Sequence, residues 1–401
     1  MNGGAMRLPA PTPLAGRPTI ALGCTGLHFP ADAIREAREN GIAPVLMHRL
    51  TGEDGSGDDG PREMLEATAA ALEKSGHAAA WGAGCAVHTE AEAAAFATAG
   101  FTWYSFEIGG EVDSRADTMS LDELDAAIVA LEDSGILAAE WHANYTDREW
   151  PLASGRTLRL ADETLARAAV KFSRALAHAA QLQQAIRTLW SGRGSAPDIE
   201  LCFAGTRDRW SEEEFLFLAL ESARNGLCPA CIAPPLGAAW QPGAEFEGDE
   251  IELASMLAGF GEIAASVGAL KIGIHHAAGK VAPDAAPAGA KLRTGLSASR
   301  LGDRAHLDRE EDAWLATLDA LARSQPEIFR RWLCAAQEMF PFAANGMALA
   351  ITEEDIHVLP QVGDTELAQT FLGDVRGRQL LLATFPDVMR GDRTLREAVR
   401  H

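Results

Sequence analysis

The chain has 401 residues, of which 47% are hydrophobic, and a formal net charge of −22. This length and composition are typical of a globular protein with a large core, and the shortage of basic charge argues against nucleic acid or an anionic membrane as a partner. No apolar run reaches the roughly 20 residues that span a bilayer, and the N-terminus lacks the apolar segment of a secretory signal. Six thinly spread cysteines favour a reducing compartment, so we predict a cytoplasmic protein.

Short apolar strands alternate with amphipathic helices along the chain. Residues 1–17, rich in Pro, Gly and Ala, are predicted to form a flexible tail, and residues 18–401 a single domain. Alternating strands and helices indicate a parallel sheet. About eight strands indicate a (β/α)8, TIM-barrel-like α/β fold, a single large domain with extra C-terminal helices, and a doubly wound open sheet is the alternative. The candidate strands are residues 19–24, 44–47, 78–82, 101–106, 199–203, 229–233, 270–274 and 291–293.

Two helix starts are marked by capping boxes. Ser120 is followed by Glu123, and Ser211 by Glu214, and in each pair the hydroxyl and the carboxylate satisfy free backbone N–H groups reciprocally. Apolar residues at helical spacing predict a long helix over residues 162–190. Their buried stripe consists of Leu165, Ala169, Phe172, Leu176, Leu182, Ile186 and Leu189. Residues 309–323 and 327–339 are predicted to be two further helices.

Polar side chains lie within or just after several predicted strands. The carboxyl ends of barrel strands share one mouth, so we expect these groups to converge there. Carboxylates and imidazoles in such a cluster could hold a divalent metal, although histidines at strand ends often only bond to the backbone. Neighbouring strand residues point to opposite faces, so at most one of His275 and His276 is expected to face inward. The set is His48, Arg49, Glu107, Glu111, Asp113, Glu200, His275, His276, Lys280 and Lys291.

Other catalytic motifs are weak or missing. Cys228 and Cys231 form a CxxC, which can be a redox motif, but it lies within an apolar, strand-like run and has no second CxxC to complete a zinc site. We interpret these cysteines as structural. The sequence contains no P-loop, no GxGxxG after a strand and no GxSxG. A nucleotide cofactor and serine hydrolase chemistry therefore have no support.

Four stretches carry a family resemblance. They are AGFTWYSFEIGGEVDSRADTMSLDEL (99–124), GRTLRLADETLARAAVKFSRALAHAAQL (155–182), IELCFAGTRDRWSEEEFLFLAL (199–220) and LKIGIHHAAGK (270–280). From about residue 18 to residue 390 the chain resembles the tagaturonate epimerase family. The resemblance implies an isomerase of the epimerase type that interconverts tagaturonate and fructuronate with a divalent metal such as Mn, Zn, Ni or Fe. The expected partner is a small sugar acid or ketose.

Several polar positions depart from the family pattern. Glu200, His275 and Lys280 match it, and the resemblance implies that Glu200 and His275 bind the metal while Glu107, Lys280 and Lys291 act in catalysis. A family Asp-Glu pair is replaced by Ala204 and Gly205, a Ser and an Asp by His276 and Gly279, a His by Lys291 and another His by Leu382. Losing ligands weakens a metal site, and Lys291 would add a positive charge in its place.

These departures leave three hypotheses open. The first is a sugar-acid epimerase with an altered site, in which Lys291 clamps a substrate carboxylate or does amine chemistry. The second is a catalytically inactive relative that binds a carbohydrate or a protein partner. The third is a lyase or aldolase reaction on the same scaffold, because a fold does not by itself fix a function.

Overall fold

Eight parallel strands close into a barrel surrounded by helices, and this confirms the predicted fold class. The computed structural model describes residues 9–24, 29–49, 60–203, 209–244, 246, 248–268, 270–276, 281–282, 291–292, 305–343 and 372–400. The barrel strands are β1 (Thr19–Gly23), β2 (Ala43–His48), β3 (Gly82–Val87), β4 (Trp103–Glu107), β7 (Asp198–Cys202), β8 (Cys231–Ala233), β9 (Lys271–Ile274) and β12 (Ala305–Asp308). They pair in this order, and β12 closes the ring on β1.

Two small antiparallel ribbons lie outside the barrel. One pairs β5 (Trp150–Pro151) with β6 (Thr157–Leu158), and the other pairs β10 (Val281–Ala282) with β11 (Lys291–Leu292). The helices are α1 (Ala31–Glu39), α2 (Pro61–Lys74), α3 (Glu90–Ala99), α4 (Leu121–Asp133), α5 (Asp162–Trp190), α6 (Glu212–Arg224), α7 (Glu250–Val267), α8 (Glu310–Ser324), α9 (Pro326–Ala343), α10 (Val375–Gly391) and α11 (Arg393–Arg400). No helix in the described ranges has the length and apolar character needed to cross a membrane.

The local helix signals are confirmed. Both predicted capping boxes, at Ser120 and Ser211, are formed, and α5 has the predicted bounds. The predicted stripe of α5 is buried except for Leu189, which is 39% exposed. Capping and apolar periodicity are properties of neighbouring residues, so a single sequence suffices to find them.

The predicted third and eighth strands are wrong. The third strand is β3, not residues 78–82. The sequence did not reveal β3 because GAGCAV consists mostly of small residues with low strand propensity. Gly84 is required there, since a Cβ would lie 2.3 Å from Met47 Sδ. The eighth strand is β12, not residues 291–293, because Lys291–Leu292 pairs with Val281–Ala282 outside the barrel. A strand reading Ala-His-Leu-Asp has no apolar run that would reveal it.

The floor of the barrel is closed by the N-terminal segment. Residues 1–17 were predicted to be a flexible tail, but the described part, residues 9–17, is packed, and the Leu14 side chain is only 2% exposed. The Leu14 amide donates to the Asp198 carboxylate, and Lys271 Nζ donates to the Leu14 carbonyl at 2.9 Å. The segment is held in place because its backbone provides hydrogen-bond partners for two buried charged side chains.

The C-terminal helices form a second core beside the barrel. Helices α8 to α11 pack around buried aromatic side chains, and Trp314 stacks on Phe385 at 5.1 Å. Trp314 also lies under the Arg49 guanidinium, 5.4 Å from the ring centroid. Arg49 follows β2, so the extra helices contact the carboxyl ends of the strands, where barrel enzymes carry their active sites.

Candidate active site

Glu200 lies at the centre of the polar cluster inside the barrel. It is on β7, its side chain is 1% exposed, and its Oε1 accepts a hydrogen bond from Cys231 Sγ at 3.3 Å. Burial alone would raise the pKa of this carboxyl, but the adjacent His275 and His306 rings outweigh it and lower the pKa to about 2. Glu200 is therefore an ionised carboxylate held in the barrel interior.

His275 follows β9 and lies between two carboxylates. Its Nδ1 is 3.0 Å from Asp308 Oδ2, and its Nε2 is 3.2 Å from Glu200 Oε1. The Nε2 atom is buried and makes no aligned hydrogen bond with any described residue, so the contact with Glu200 is one of proximity and charge. Burial opposes protonation of the ring, but Cys202, Glu200 and Asp308 beside it outweigh that effect and raise the pKa of His275 well above its ordinary value. The cluster therefore attracts positive charge.

His306 on β12 approaches the same carboxylate from below. Its Nε2 is 4.0 Å from Glu200 Oε1, its Nδ1 is 2.8 Å from Thr19 Oγ1, and its ring stacks on Trp103 at 4.3 Å. Burial lowers the pKa of His306 to about 4, so the ring is neutral at physiological pH. Both histidines direct Nε2 toward Glu200 and hold Nδ1 against another side chain.

An arginine and two more carboxylates lie at the rim of the mouth. Arg49 donates from Nε and Nη2 to the Glu310 carboxylate at 3.0–3.2 Å, and its Nη2 is 3.6 Å from Glu107 Oε1. The Glu310 amide donates to Asp308 Oδ1 at 2.8 Å, which connects this group to His275. Burial raises the pKa of Glu310, and the nearby Asp308 and Glu107 add to the effect against the opposing charge of Arg49.

The donor set fits a divalent metal in part. Two ligands of one ion at about 2.0–2.2 Å lie roughly 3 Å apart, which is the spacing of Glu200 Oε1 and His275 Nε2. Asp308 holds the other nitrogen of His275, as outer carboxylates do for ligating histidines. His306 Nε2 lies 4.0 Å from the same Glu200 oxygen. The described residues contain no group of three side chains positioned to hold a metal.

Comparison with known proteins decides the family. The profile of the tagaturonate epimerase family matches residues 7–400. The chain belongs to the tagaturonate epimerase family. No curated protein matches it.

Solved structures of one family enzyme share the fold. The native crystal structure of fructuronate-tagaturonate epimerase UxaE from Cohnella laeviribosi is 21% identical, with a TM-score of 0.73, and the match covers 98% of this chain and 78% of that one. The same enzyme with one bound glycerol has a TM-score of 0.74, 21% identity and the same coverage. Its complex with two glycerols has a TM-score of 0.74 and 21% identity, and the match covers 97% of this chain and 78% of that one. At this identity the likeness bears on the fold alone.

The structure locates part of what was interpreted from the family pattern. Lys291, interpreted as replacing a family histidine, lies in the ribbon of β10 and β11 outside the barrel. The eighth barrel strand, β12, carries His306 as its second residue. Leu382, interpreted from the resemblance as replacing another family histidine, is buried in α10 among the C-terminal helices.

The structure brings three of the five predicted site residues together. Glu107, Glu200 and His275 lie at the same end of the barrel, connected through Arg49, Glu310 and Asp308. Lys280, together with Ala204, Gly205 and Gly279, lies outside the described residues, and of Lys291 only the backbone is described.

Other candidates from the sequence have separate contacts. His48 bonds to Thr68 Oγ1 on α2 at 2.9 Å and contacts Phe101 edge-on, so it packs outside the barrel. His276 has a positive φ of 54°, which turns it to Glu311, 2.6 Å away. Glu111 is exposed on a single 3-10 turn. Cys231 is the exception, because it is buried and its Sγ donates to Glu200, whereas Cys228 is exposed; neither is in a disulfide.

Sequence reasoning missed His306, Asp308 and Glu310. They lie in AHLDREED, where alternation of apolar and polar residues over four positions was the available signal of a strand. The alternation places His306 and Asp308 on the inner face, and the helix that follows places Glu310 at the rim.

Proposed function

We propose that this chain is an epimerase of polyhydroxy ketones, either the keto-hexuronates for which its family is named or ketoses with the same skeleton. The observation that carries the proposal is the buried Glu200–His275 pair at the barrel mouth. Its imidazole Nε2 lies 3.2 Å from a carboxylate oxygen and makes no aligned hydrogen bond among the described residues. A nitrogen and an oxygen held this close without a hydrogen bond between them have the spacing of two ligands of one ion.

The stereochemistry of the family reaction favours carbon–carbon cleavage. Tagaturonate and fructuronate differ at a carbinol carbon one step beyond the α-carbon of the ketone, and the C–H bond there is not acidified by the carbonyl. Simple enolisation therefore cannot invert it. Retro-aldol cleavage, rotation of the aldehyde fragment and re-addition to its other face inverts the centre with no net oxidation.

Glu200 and His275 are the residues that would hold a divalent metal. When bound, such an ion polarises the ketone oxygen as a Lewis acid. Asp308 fixes the orientation of the His275 ring. Glu107, half-buried beside Arg49, would accept the proton of the reacting hydroxyl as the carbon–carbon bond breaks and return it after re-addition. We propose that Lys280 and Lys291 bind substrate oxygens during catalysis.

One observation favours a second candidate function. The described residues contain no group of three side chains positioned to hold a metal. A relative that binds a carbohydrate without converting it would need none, because shape and hydrogen bonds suffice for binding. The two candidates differ in metal content and in turnover.

The first experiment measures metal content and epimerisation on the same protein. Protein purified without chelator or nickel resin is analysed by elemental mass spectrometry. Interconversion of keto-hexuronates and of ketoses is then followed by NMR. We expect near-stoichiometric metal and turnover, both lost in Glu200→Ala and kept in Glu63→Gln, an exposed change on α2. Binding without metal or turnover, even with added divalent ions, would favour the non-catalytic candidate.

A further inference from the structure

The guanidinium of Arg49 is already occupied by a carboxylate of the same chain. Its Nε and Nη2 atoms donate to both oxygens of Glu310 at 3.0–3.2 Å, the forked geometry in which arginine binds carboxylates. Glu107 Oε1 lies 3.6 Å from the same Nη2 atom. One positive group at the mouth thus faces two negative ones.

The Glu310 contact is built into the fold. The Glu310 side chain is 5% exposed, and its backbone amide is held by Asp308 Oδ1 at 2.8 Å. Gly23 at the end of β1 leaves the space for it, because a Cβ there would lie 3.0 Å from Glu310 Cγ and 2.8 Å from its carbonyl oxygen. Trp314, one turn further along α8, supports the other side of the guanidinium. A flexible surface pair would show none of these constraints.

This arrangement disfavours a carboxylate ligand at Arg49. An incoming carboxylate would have to displace Glu310 or share its arginine, and would meet Glu107, Glu310 and Asp308 as like charges in a poorly solvated mouth. Like charges brought together at such a site oppose binding. A primary alcohol in the same position brings no charge and can both donate to Glu107 and accept from Arg49.

We infer that Glu310 sets the substrate class of this site, so that it selects uncharged polyhydroxy ketones over keto-hexuronates of the same skeleton. The inference rests on the proposed function for the reaction but concerns which ligand binds. Glu310 acts here as a specificity residue, since it takes the position at Arg49 that a substrate carboxylate would otherwise occupy.

The experiment compares two ligands that differ in one group. Tagaturonate carries a carboxylate where tagatose carries a CH2OH group. Binding of each is measured from intrinsic tryptophan fluorescence, to which Trp314 contributes beside Arg49, and turnover of each is measured by NMR. The wild-type chain should prefer tagatose at least tenfold in Kd, and in kcat/KM where it turns over.

Three variants test the cause of the preference. Glu310→Gln removes the charge, Glu310→Ala also vacates the arginine, and both should shift the preference toward tagaturonate at least tenfold. Glu311→Gln is the matched control, because Glu311 is the next residue but contacts His276 instead of Arg49. It should leave the preference unchanged.

The outcomes separate this inference from the proposed reaction. A wild-type preference for tagaturonate, binding of neither sugar, or an unchanged preference in both Glu310 variants would each overturn it. The wild-type comparison stands even if a Glu310 variant does not fold. If tagatose binds preferentially and is not converted, the specificity inference holds and the proposed reaction fails.

Discussion

Replacing Lys271 with methionine tests whether the barrel floor holds a buried charge. Lys271 is 1% exposed, and its Nζ donates to the Leu14 carbonyl at 2.9 Å and to Thr19 Oγ1 at 3.2 Å. Burial lowers the pKa of Lys271 to about 8, against the opposing influence of Cys231, Asp198 and Glu200. Keeping this ammonium charged inside the protein therefore reduces stability at neutral pH.

The size and sign of the effect follow from linkage. In the unfolded chain the lysine has a pKa near 10.4, so between pH 8 and 10.4 the unfolded state binds more protons than the folded one. Stability from this group therefore rises as the pH increases through that window. At about 1.4 kcal/mol per pKa unit, its contribution increases by about 2.5 kcal/mol between pH 7 and pH 10.

The assay is urea unfolding of the wild-type chain and Lys271→Met at pH 7, 8, 9 and 10, followed by tryptophan fluorescence. Subtracting the two free energies of unfolding cancels the pH-dependent contributions of titratable groups that both proteins share, such as Cys85, whose pKa is raised by burial. Between pH 7 and pH 10, we expect the free energy of unfolding of the wild-type chain to rise by about 2.5 kcal/mol relative to that of the variant. A difference that does not change with pH would refute a buried, charged Lys271.

Three further predictions concern the site and the frame. His275→Ala should abolish bound metal, measured by elemental mass spectrometry, while leaving unfolding cooperative; unchanged metal content would refute its role as a ligand. Lys171→Met should destabilise the fold by about 2 kcal/mol in urea unfolding, because its ammonium lies 2.8 Å from each of two carboxylates, one of them partly solvated. Gly23→Ala should cost about 1–3 kcal/mol by crowding Glu310, and an unchanged Tm would contradict the close packing at that contact.

The framework of this fold could be predicted from the sequence because its signals are local. A capping box needs four residues, and the stripe of α5 repeats within one helix. Strands with apolar runs, such as β1 and β9, were found within one or two residues of their bounds. The two strands that were not found, β3 and β12, have compositions set by the barrel interior. Strand β3 has small residues that leave room for the Met47 side chain, and β12 has polar residues near Glu200.

The site was predictable only as far as strand ends could be located. Glu107, Glu200 and His275 follow from the rule that polar residues at the carboxyl ends of barrel strands converge. Pairings across the barrel do not follow, because they join residues as distant in sequence as Arg49 and Glu310. Misplacing the eighth strand hid His306 and gave Lys291 a position that the backbone does not support.

The polar groups inside this barrel form a connected column. Lys271, Thr19 and His306 connect the floor to Glu200. From Glu200 the contacts continue through His275 to Asp308 at the mouth. Each buried charge in the column has an opposite charge or a hydrogen bond beside it, which is the condition for retaining it in a core. At the rim, Arg49 takes its partner Glu310 from α8, outside the strands that carry the column. Substrate preference can therefore change at the rim while the interior charges keep the barrel intact.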